Sequence, residues 1–154
     1  MNVAIRRMSM EDVATVHTID TLSFSLPWPE NSYRFELTGN PVSRCWVAES
    51  EGRLAAMLVL WLIVDEAHIA TIATHPDFRR QGIGEQLLIA TLQSAREEGA
   101  RRAFLEVRSG NMAAQAMYKK YGFVVAGIRP RYYKDNNEDA ILMNLEDLNR
   151  LEDS

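Results

Sequence analysis

The sequence predicts a mixed α/β protein whose strands and helices follow one another in the order β-α-α-β-β-β-α-β-α-β-β. Three patterns carry this prediction. Residues 53–62 are almost continuously apolar, as expected of a strand covered on both faces. Residues 66–74 form another extended segment, which Pro76 ends. Apolar positions then recur at helical spacing between residues 83 and 95.

The N-terminal part is predicted to hold one strand and two helices. After a strand at residues 3–8, Ser9 is the expected N-cap of a helix with Asp12 at its third position. This pair is a weaker relative of the capping box, because Asp is shorter than Glu. Two prolines then break the helix, since each removes a backbone donor. The second helix starts at Pro29 and ends near Gly39.

The remaining elements alternate between strands and helices. A tight turn joins a strand at residues 44–50 to the apolar strand at 53–62. Gly99 is the expected C-cap of the central helix, and Asn111 caps a last helix that Gly122 stops. The other predicted strands are 103–107, 123–132 and 139–144.

The composition is that of a soluble protein with a single domain over residues 1–154. With 154 residues, 47% of them hydrophobic and 25% charged, the chain can bury about 70% of its unfolded surface. The longest apolar run covers residues 54–64, whereas a membrane-spanning helix needs about 20 residues. A single cysteine, Cys45, fits a reducing compartment, so we expect a cytoplasmic protein.

The charge pattern indicates a small anionic ligand rather than nucleic acid. The formal net charge is −4, whereas proteins that bind a phosphate backbone usually have a basic domain. Arg79 and Arg80 nevertheless lie side by side, which suggests a small phosphorylated ligand. We expect no nucleic-acid or membrane partner, and either a monomer or a weak homodimer.

Residues 72–85 carry the most informative motif: a strand, a loop, Arg-x-x-Gly-x-Gly and an amphipathic helix, with Gly82 and Gly84 where the helix begins. Unpaired N–H groups and the positive end of the helix dipole make such a start an anion site. A missing Cβ also lets a pyrophosphate approach the backbone. Arg79 or Arg80 would add charge-assisted hydrogen bonds. The alternative is an ordinary tight turn with exposed arginines.

The motifs of other nucleotide and metal sites are missing from the sequence. There is no Gly-Lys-Ser/Thr of a P-loop, and the three glycines of a dinucleotide fingerprint are absent. His17, His68 and His75 show no spacing typical of metal ligands. We therefore expect no metal.

In this context, Arg79-x-x-Gly82-x-Gly84 resembles the signature of the GNAT superfamily of acetyl-CoA-dependent N-acetyltransferases. Residues 105–111 followed by 116–123 resemble the RimI-type enzymes, which acetylate the α-amino group of a small-subunit ribosomal protein. The resemblance covers nearly the whole chain and departs from the family at Gly110, where alanine or serine is commoner. It implies the GNAT fold, a mixed, mostly antiparallel sheet of about seven strands with helices on both faces.

The resemblance also implies acetyl-CoA as the acetyl-donating co-substrate. Backbone groups at residues 72–74 would hold the pantetheine arm, and the Arg-x-x-Gly-x-Gly turn would hold the pyrophosphate. Asn111 would contact the cofactor where the next helix begins. The cofactor residues implied in this way are Ile72, Ala73, Thr74, Arg79, Arg80, Gln81, Gly82, Ile83, Gly84, Glu85 and Asn111.

Glu106 matches the family's general base and Tyr118 its general acid. An α-amino group has a pKa of about 7.7–8.0, so neutralising it near pH 7 costs about 1 kcal/mol, against roughly 4–5 kcal/mol for a lysine. One carboxylate suffices for that task. Because Glu106 interrupts an apolar strand, we expect it to be buried, although alternation also allows a solvent-facing carboxylate. Tyr118 follows Asn111 by two helical turns and by its pattern alone is a core aromatic.

Two further expectations concern the transfer step. We assign stabilisation of the oxyanion to a backbone N–H near Ala73, because no nearby side chain is an obvious donor. Cys45 is interpreted as a core residue, so the amine is expected to attack the thioester directly in a ternary complex.

The acceptor site is predicted from aromatic residues on loops. Trp28, Tyr132 and Tyr133 are candidate walls. The acidic residues expected to attract a basic N-terminal tail are Glu30, Asp65, Glu66 and Asp135. The leading prediction is acetylation of the α-amino group of a protein N-terminus that begins with a small residue, a ribosomal protein being one candidate. Two alternatives stay open: acetylation of a small-molecule amine such as a polyamine or aminoglycoside, and a non-catalytic acetyl-CoA-binding module.

Overall fold

The structure, a computed structural model, describes residues 2–153 and the side chains of residues 2–151. The helices are α1 (Val13–Ser23), α2 (Glu30–Thr38), α3 (Ile83–Glu97) and α4 (Met112–Lys120). The strands are β1 (Val3–Arg7), β2 (Ser43–Ser50), β3 (Arg53–Ile63), β4 (Glu66–Thr74), β5 (Arg102–Arg108), β6 (Val124–Tyr133) and β7 (Glu138–Leu145). This confirms the predicted order of elements. None of the described helices is long and apolar enough to cross a bilayer.

The strands form one sheet in the order β1-β2-β3-β4-β5-β7-β6, and β4 and β5 are its parallel neighbours. Alternate residues of β3 serve two hydrophobic cores, which explains its continuous apolar sequence. Met57 and Val59 pack with residues of α1 and α2, whereas Leu58 and Leu60 pack with residues of α3. The helices therefore cover both faces of the sheet, as predicted.

A β-bulge in β4 opens the sheet where the site lies. Val59 pairs with Thr71 and Leu60 with Ile69, so Ala70 is an extra residue opposite β3. The parallel ladder between β4 and β5 covers three residue pairs and stops at His68. Beyond His68 the two strands separate and leave a cleft between them.

The two ends of the described chain are anchored by different contacts. The Asp12 carboxylate accepts the Ser9 N–H at 2.7 Å, which confirms the predicted cap, although the first turn, Met10–Asp12, is a 3₁₀ helix. Near the other end, a 3₁₀ helix at Leu148–Asp153 buries Leu148 and Leu151 in the core that contains α3. The segment after Leu145 showed no motif in the sequence, yet it contributes to the core.

Candidate active site

The cleft between β4 and β5 has a volume of about 510 Å³ and is bordered by the α1–α2 loop, the start of α4 and the β6–β7 hairpin. A second cavity of about 660 Å³ adjoins it and extends over Trp61, His68 and Phe104. The residues that line both cavities are Trp28, Ile69, Ala70, Leu105, Glu106 and Tyr133. Two ligands entering from the two cavities would therefore meet beside Glu106.

The β4 edge of the cleft presents backbone groups. The His75 N–H donates to the Ala55 carbonyl at 2.8 Å, which fixes the phase of the antiparallel ladder with β3. Alternation then turns the N–H and C=O groups of Ile72 and Thr74 away from β3. The same alternation directs the groups of Ala73 toward β3. The structure therefore supports backbone contacts to a ligand from Ile72 and Thr74, and supports neither a cofactor contact nor an oxyanion role for the Ala73 N–H.

The helix α3 begins at the two glycines, as the sequence predicted, and the turn before it is the candidate cradle for a phosphate group. Gly82 is the N-cap and has a φ of +76°, a region that side chains rarely adopt. The Gln86 N–H donates to the Gly82 carbonyl at 3.0 Å, which is the first hydrogen bond of the helix. The N–H groups before Gln86 therefore have no acceptor within the helix. A Cβ at Gly84 would lie 2.9 Å from the Thr74 hydroxyl oxygen. N–H groups of a first helical turn have no intrahelical acceptor, and Gly82 and Gly84 place no side chain of their own over them, so this turn suits an anion such as a diphosphate.

Two charged side chains of this turn are engaged within the chain. The Arg79 guanidinium donates to the Thr74 carbonyl at 3.0 Å and to the Ser23 hydroxyl at 3.3 Å. The Glu85 carboxylate accepts from Lys120 at 3.2 Å. Arg80 and Gln81 are exposed beside the cradle. Of the two predicted arginines, Arg80 is the one whose position suits an incoming phosphate.

Asn111 and Tyr118 form the α4 side of the cleft. The Asn111 side-chain oxygen accepts the Ala114 N–H at 3.2 Å, which confirms the predicted cap and places Asn111 in the cleft lining. Tyr118 is 4% exposed, packs against Phe123, and also lines the cleft. Burial raises the pKa of Tyr118 to about 12, with the nearby Tyr133 adding to the effect. Its phenol therefore stays protonated at neutral pH.

The expected burial of Glu106 is wrong. Alternation along β5 buries Leu105 and Val107 and places Glu106 on the opposite face, where the side chain is 34% exposed. That face is part of both cavities, so the carboxylate points into the site rather than into bulk solvent alone. Arg129 Nε lies 3.7 Å from a Glu106 oxygen.

The predicted aromatic walls are present on two sides of the site. The Trp28 ring lies 5.3 Å from that of Tyr33, and the Trp28 backbone N–H donates to Asp20 at 3.0 Å. Tyr132 and Tyr133 are in edge-to-face contact at 5.2 Å. Trp28 and Tyr133 line both cavities, whereas Tyr132 lines the second.

Asp20 is a site residue that the sequence reasoning missed. It is 1% exposed and accepts hydrogen bonds from the Trp28 N–H and, at 2.6 Å, from the Tyr33 hydroxyl. It therefore holds the α1–α2 loop in place. The available signal was a carboxylate on the apolar stripe of α1, in helical register with Val13 and Val16.

The predicted acidic attraction for a basic tail is not supported. Each of the four carboxylates has a cation from its own chain within reach: Glu30 pairs with Arg34, Asp65 and Glu66 with Arg102, and Asp135 with Arg108. Cys45 is buried as predicted, and burial raises the pKa of its thiol. The described residues contain no group of three or more His, Cys, Asp or Glu side chains that could hold a metal ion.

Comparisons with known proteins agree with this geometry. Residues 13–123 match the model of the acetyltransferase (GNAT) family. A Bacillus subtilis relative, provisionally named ribosomal protein bS18-alanine N-acetyltransferase, is 42% identical over 91% of this chain and 93% of its own length. The Escherichia coli K12 ribosomal protein bS18-alanine N-acetyltransferase is 33% identical over 92% of this chain and 95% of its own. The crystal structure of the ribosomal-protein-S18-alanine N-acetyltransferase from Escherichia coli superposes with a TM-score of 0.86 at 32% identity, covering 94% of this chain and 93% of that one.

Proposed function

The chain belongs to the acetyltransferase (GNAT) family and is an acyltransferase, and on this premise we propose that it acetylates the α-amino group of a protein N-terminus. The observation that carries the proposal is the meeting of two cavities beside Glu106, with the protonated phenol of Tyr118 in the lining of one of them. Such a site suits two substrates that react directly. Relatives that match over nine-tenths of the chain are named for the N-terminal alanine of ribosomal protein bS18, which favours that acceptor class.

The residues of the β4 side fit acetyl-CoA. The outward N–H and C=O groups of Ile72 and the N–H of Thr74 would hold its extended arm, and the first turn of α3 would hold its diphosphate. A side chain at Gly84 would collide with Thr74 and fill this cradle. When bound, acetyl-CoA supplies an acetyl group activated as a thioester.

The proton transfers fall to two side chains. Release of one proton from the acceptor's α-ammonium group to solvent costs about 1 kcal/mol near pH 7. As the neutral amine attacks the thioester carbon and the C–S bond breaks, Glu106 accepts the second proton of the nitrogen, directly or through a water. Tyr118 holds its proton well above neutral pH and can donate it to the departing thiolate. Cys45 is buried with a raised thiol pKa, so it cannot serve as an acetyl carrier.

No observation favours the two alternatives. A site for a polyamine or aminoglycoside would need carboxylates free to bind its cations, whereas those near the acceptor loops are ion-paired within the chain. A module that only binds acetyl-CoA would not need a base and an acid lining the same cleft.

The test uses peptides that begin with Ala or Ser and contain an internal lysine, incubated with acetyl-CoA and read by mass. We expect one acetyl group on peptides with a free α-amine and none on peptides whose α-amine is blocked. Equal labelling of both peptides would contradict the proposal. Initial rates at varied concentrations of both substrates should give intersecting reciprocal lines, whereas parallel lines would indicate an acetylated enzyme.

A further inference from the structure

Arg108, the last residue of β5, is the centre of a network that the proposed chemistry does not use. Its Nη1 atom lies 3.0 Å from an Asp135 oxygen, 3.4 Å from the Asn136 side-chain oxygen and 3.3 Å from a Glu138 oxygen. Its guanidinium also lies 4.0 Å from the centre of the Tyr133 ring. A single side chain therefore holds the β6–β7 hairpin and one of the aromatic walls.

The network reaches beyond the hairpin at both ends. The Ser25 hydroxyl, in the α1–α2 loop, donates to the other oxygen of Asp135. The Gly110 N–H donates to the other oxygen of Glu138 at 2.5 Å. A Cβ at Gly110 would lie 2.7 Å from that oxygen, so this departure from the family pattern admits a close contact. The chain of contacts runs from Ser25 in the α1–α2 loop, through the β6–β7 hairpin, to Gly110 before the N-cap of α4.

We propose that Arg108 is a positioning residue for the acceptor: it clamps the β6–β7 hairpin to the α1–α2 loop and so fixes Tyr133 relative to Trp28. This inference rests on the proposed function and adds the residue that shapes the acceptor entrance. The geometry provides the reason, because Arg108 lies two residues beyond Glu106 on the same strand. Glu106 and the residue that holds Tyr133 in place therefore lie on the same rigid strand, β5.

Electrostatics makes the clamp depend on the arginine. The side chains of Asp135 and Glu138 are only 20% and 19% exposed, and both carboxylates lie beside the same guanidinium. Without a cation between them they would repel each other, and the hairpin tip would lose its anchor. A planar guanidinium can serve several acceptors while lying against an aromatic ring, whereas a lysine ammonium is a point charge on a flexible stem.

Loss of the clamp should weaken acceptor binding rather than slow the transfer step. The reason is that the hairpin and the α1–α2 loop would then have to become ordered when the acceptor binds. We expect Arg108→Gln to raise the acceptor KM about tenfold, with kcat and the acetyl-CoA KM within about twofold of wild type. The acceptor KM of Arg108→Lys should lie between those of wild type and Arg108→Gln. Lys134→Gln, which removes an exposed cation from the same hairpin, is the matched control and should leave all three constants unchanged.

Ser25→Ala tests the clamp without disturbing the ion pairs. It should raise the acceptor KM about threefold in the wild-type background, as expected for one hydrogen bond, and have no further effect in Arg108→Gln, where the hairpin is already released. Additive effects of the two substitutions would contradict the proposal. So would an unchanged acceptor KM in Arg108→Gln.

Hydrogen exchange of the protein without substrates separates this inference from the proposed function. Arg108→Gln should speed amide exchange in residues 24–28 and 133–138, and Ser25→Ala should speed it in residues 24–28, while the amides of α3 keep their protection. If wild type acetylates no peptide but these changes occur, the proposed function fails and the clamp stands. If wild type acetylates peptides and exchange in residues 24–28 is unaffected by either substitution, the clamp is wrong.

Discussion

Glu106 and Tyr118 line one cleft but differ in burial, and this difference fits the two roles that we propose for them. Glu106 lies on the open face of β5 and can reach an amine that arrives from the second cavity. Tyr118 lies in the core and keeps its proton, because burial disfavours the phenolate. The exposed group is suited to accept a proton and the buried group to donate one.

Substituting Glu106 tests the base. We expect Glu106→Gln to lower turnover by about 10²–10⁴-fold, because the amide cannot accept the proton, with little effect on acetyl-CoA affinity measured by calorimetry. Glu97→Gln changes an exposed carboxylate at the end of α3 and should leave turnover unchanged. Unchanged turnover in Glu106→Gln would remove this residue from the mechanism.

The raised pKa of Tyr118 predicts the alkaline side of the pH–rate profile. An ordinary tyrosine loses its proton near pH 10, whereas Tyr118 does so at about 12. Wild-type kcat should therefore not fall between about pH 8 and 10 through loss of this proton. Tyr118→Phe should lower kcat about 10²-fold over that range. Tyr121→Phe, at the C-cap of the same helix and outside the cleft, is the control. A wild-type decline near pH 10 that is absent from Tyr118→Phe would contradict this expectation.

The strand–turn–helix unit from β4 to α3 forms the side of the site to which we assign the cofactor. The ladder with β5 stops at His68, the bulge at Ala70 and the outward groups of Ile72 and Thr74 follow, and α3 begins after the turn at Gly82. Each feature alone is common. Their succession within one unit gives a continuous line of backbone donors and acceptors.

Two glycines with the same positive φ allow the effect of backbone strain to be separated from an effect on ligand binding. Gly82 and Gly52 both have a φ of +76°, and at either position an added Cβ would meet no atom within 4 Å, but only Gly82 belongs to the cradle. Either alanine substitution should lower the free energy of unfolding by about 1–2 kcal/mol, measured in urea. Only Gly82→Ala should also weaken acetyl-CoA binding in calorimetry. Equal affinities in both variants would show that the α3 start does not hold the cofactor.

An ion cluster links the first strand, β1, to the start of α1 and to β2. Arg6 donates to both oxygens of Asp12, at 2.7 and 2.9 Å, and contacts Glu49. This guanidinium, followed by the Ser9 N–H, lowers the pKa of the Asp12 carboxyl. The cluster therefore joins β1, β2 and the start of α1.

The lowered pKa of Asp12 predicts a specific acid sensitivity. Since the folded state binds this proton less readily than the unfolded state, the stabilisation is complete above the unfolded pKa of about 3.8 and is lost as pH falls through the lower, folded value. We expect the wild-type free energy of unfolding to drop more between about pH 5 and 3 than that of Arg6→Gln. Arg34→Gln, which breaks an exposed pair with Glu30, should behave as wild type. Equal slopes in wild type and Arg6→Gln would contradict the assignment.

The sequence predicted the elements better than it predicted the surroundings of individual side chains. Periodicity and caps located the four α-helices and seven strands of residues 2–153, because Pro, Gly and Asn act locally. The register of β3 against β4 is a non-local property, so neither the Ala70 bulge nor the direction of the Ala73 N–H could be read from spacing. The clamp around Arg108 was missed for the same reason, since Ser25 and Asp135 are 110 positions apart.

The short parallel ladder between β4 and β5 would make a co-substrate bound as we propose part of the scaffold. Beyond His68 the described strands β4 and β5 do not pair with each other, and a bound pantetheine arm would supply hydrogen bonds to β4 in place of a strand. At a free concentration one hundred times its Kd, such a ligand stabilises its host by about 2.7 kcal/mol. The protein should therefore unfold at a higher temperature, and resist proteolysis longer, in the presence of saturating acetyl-CoA.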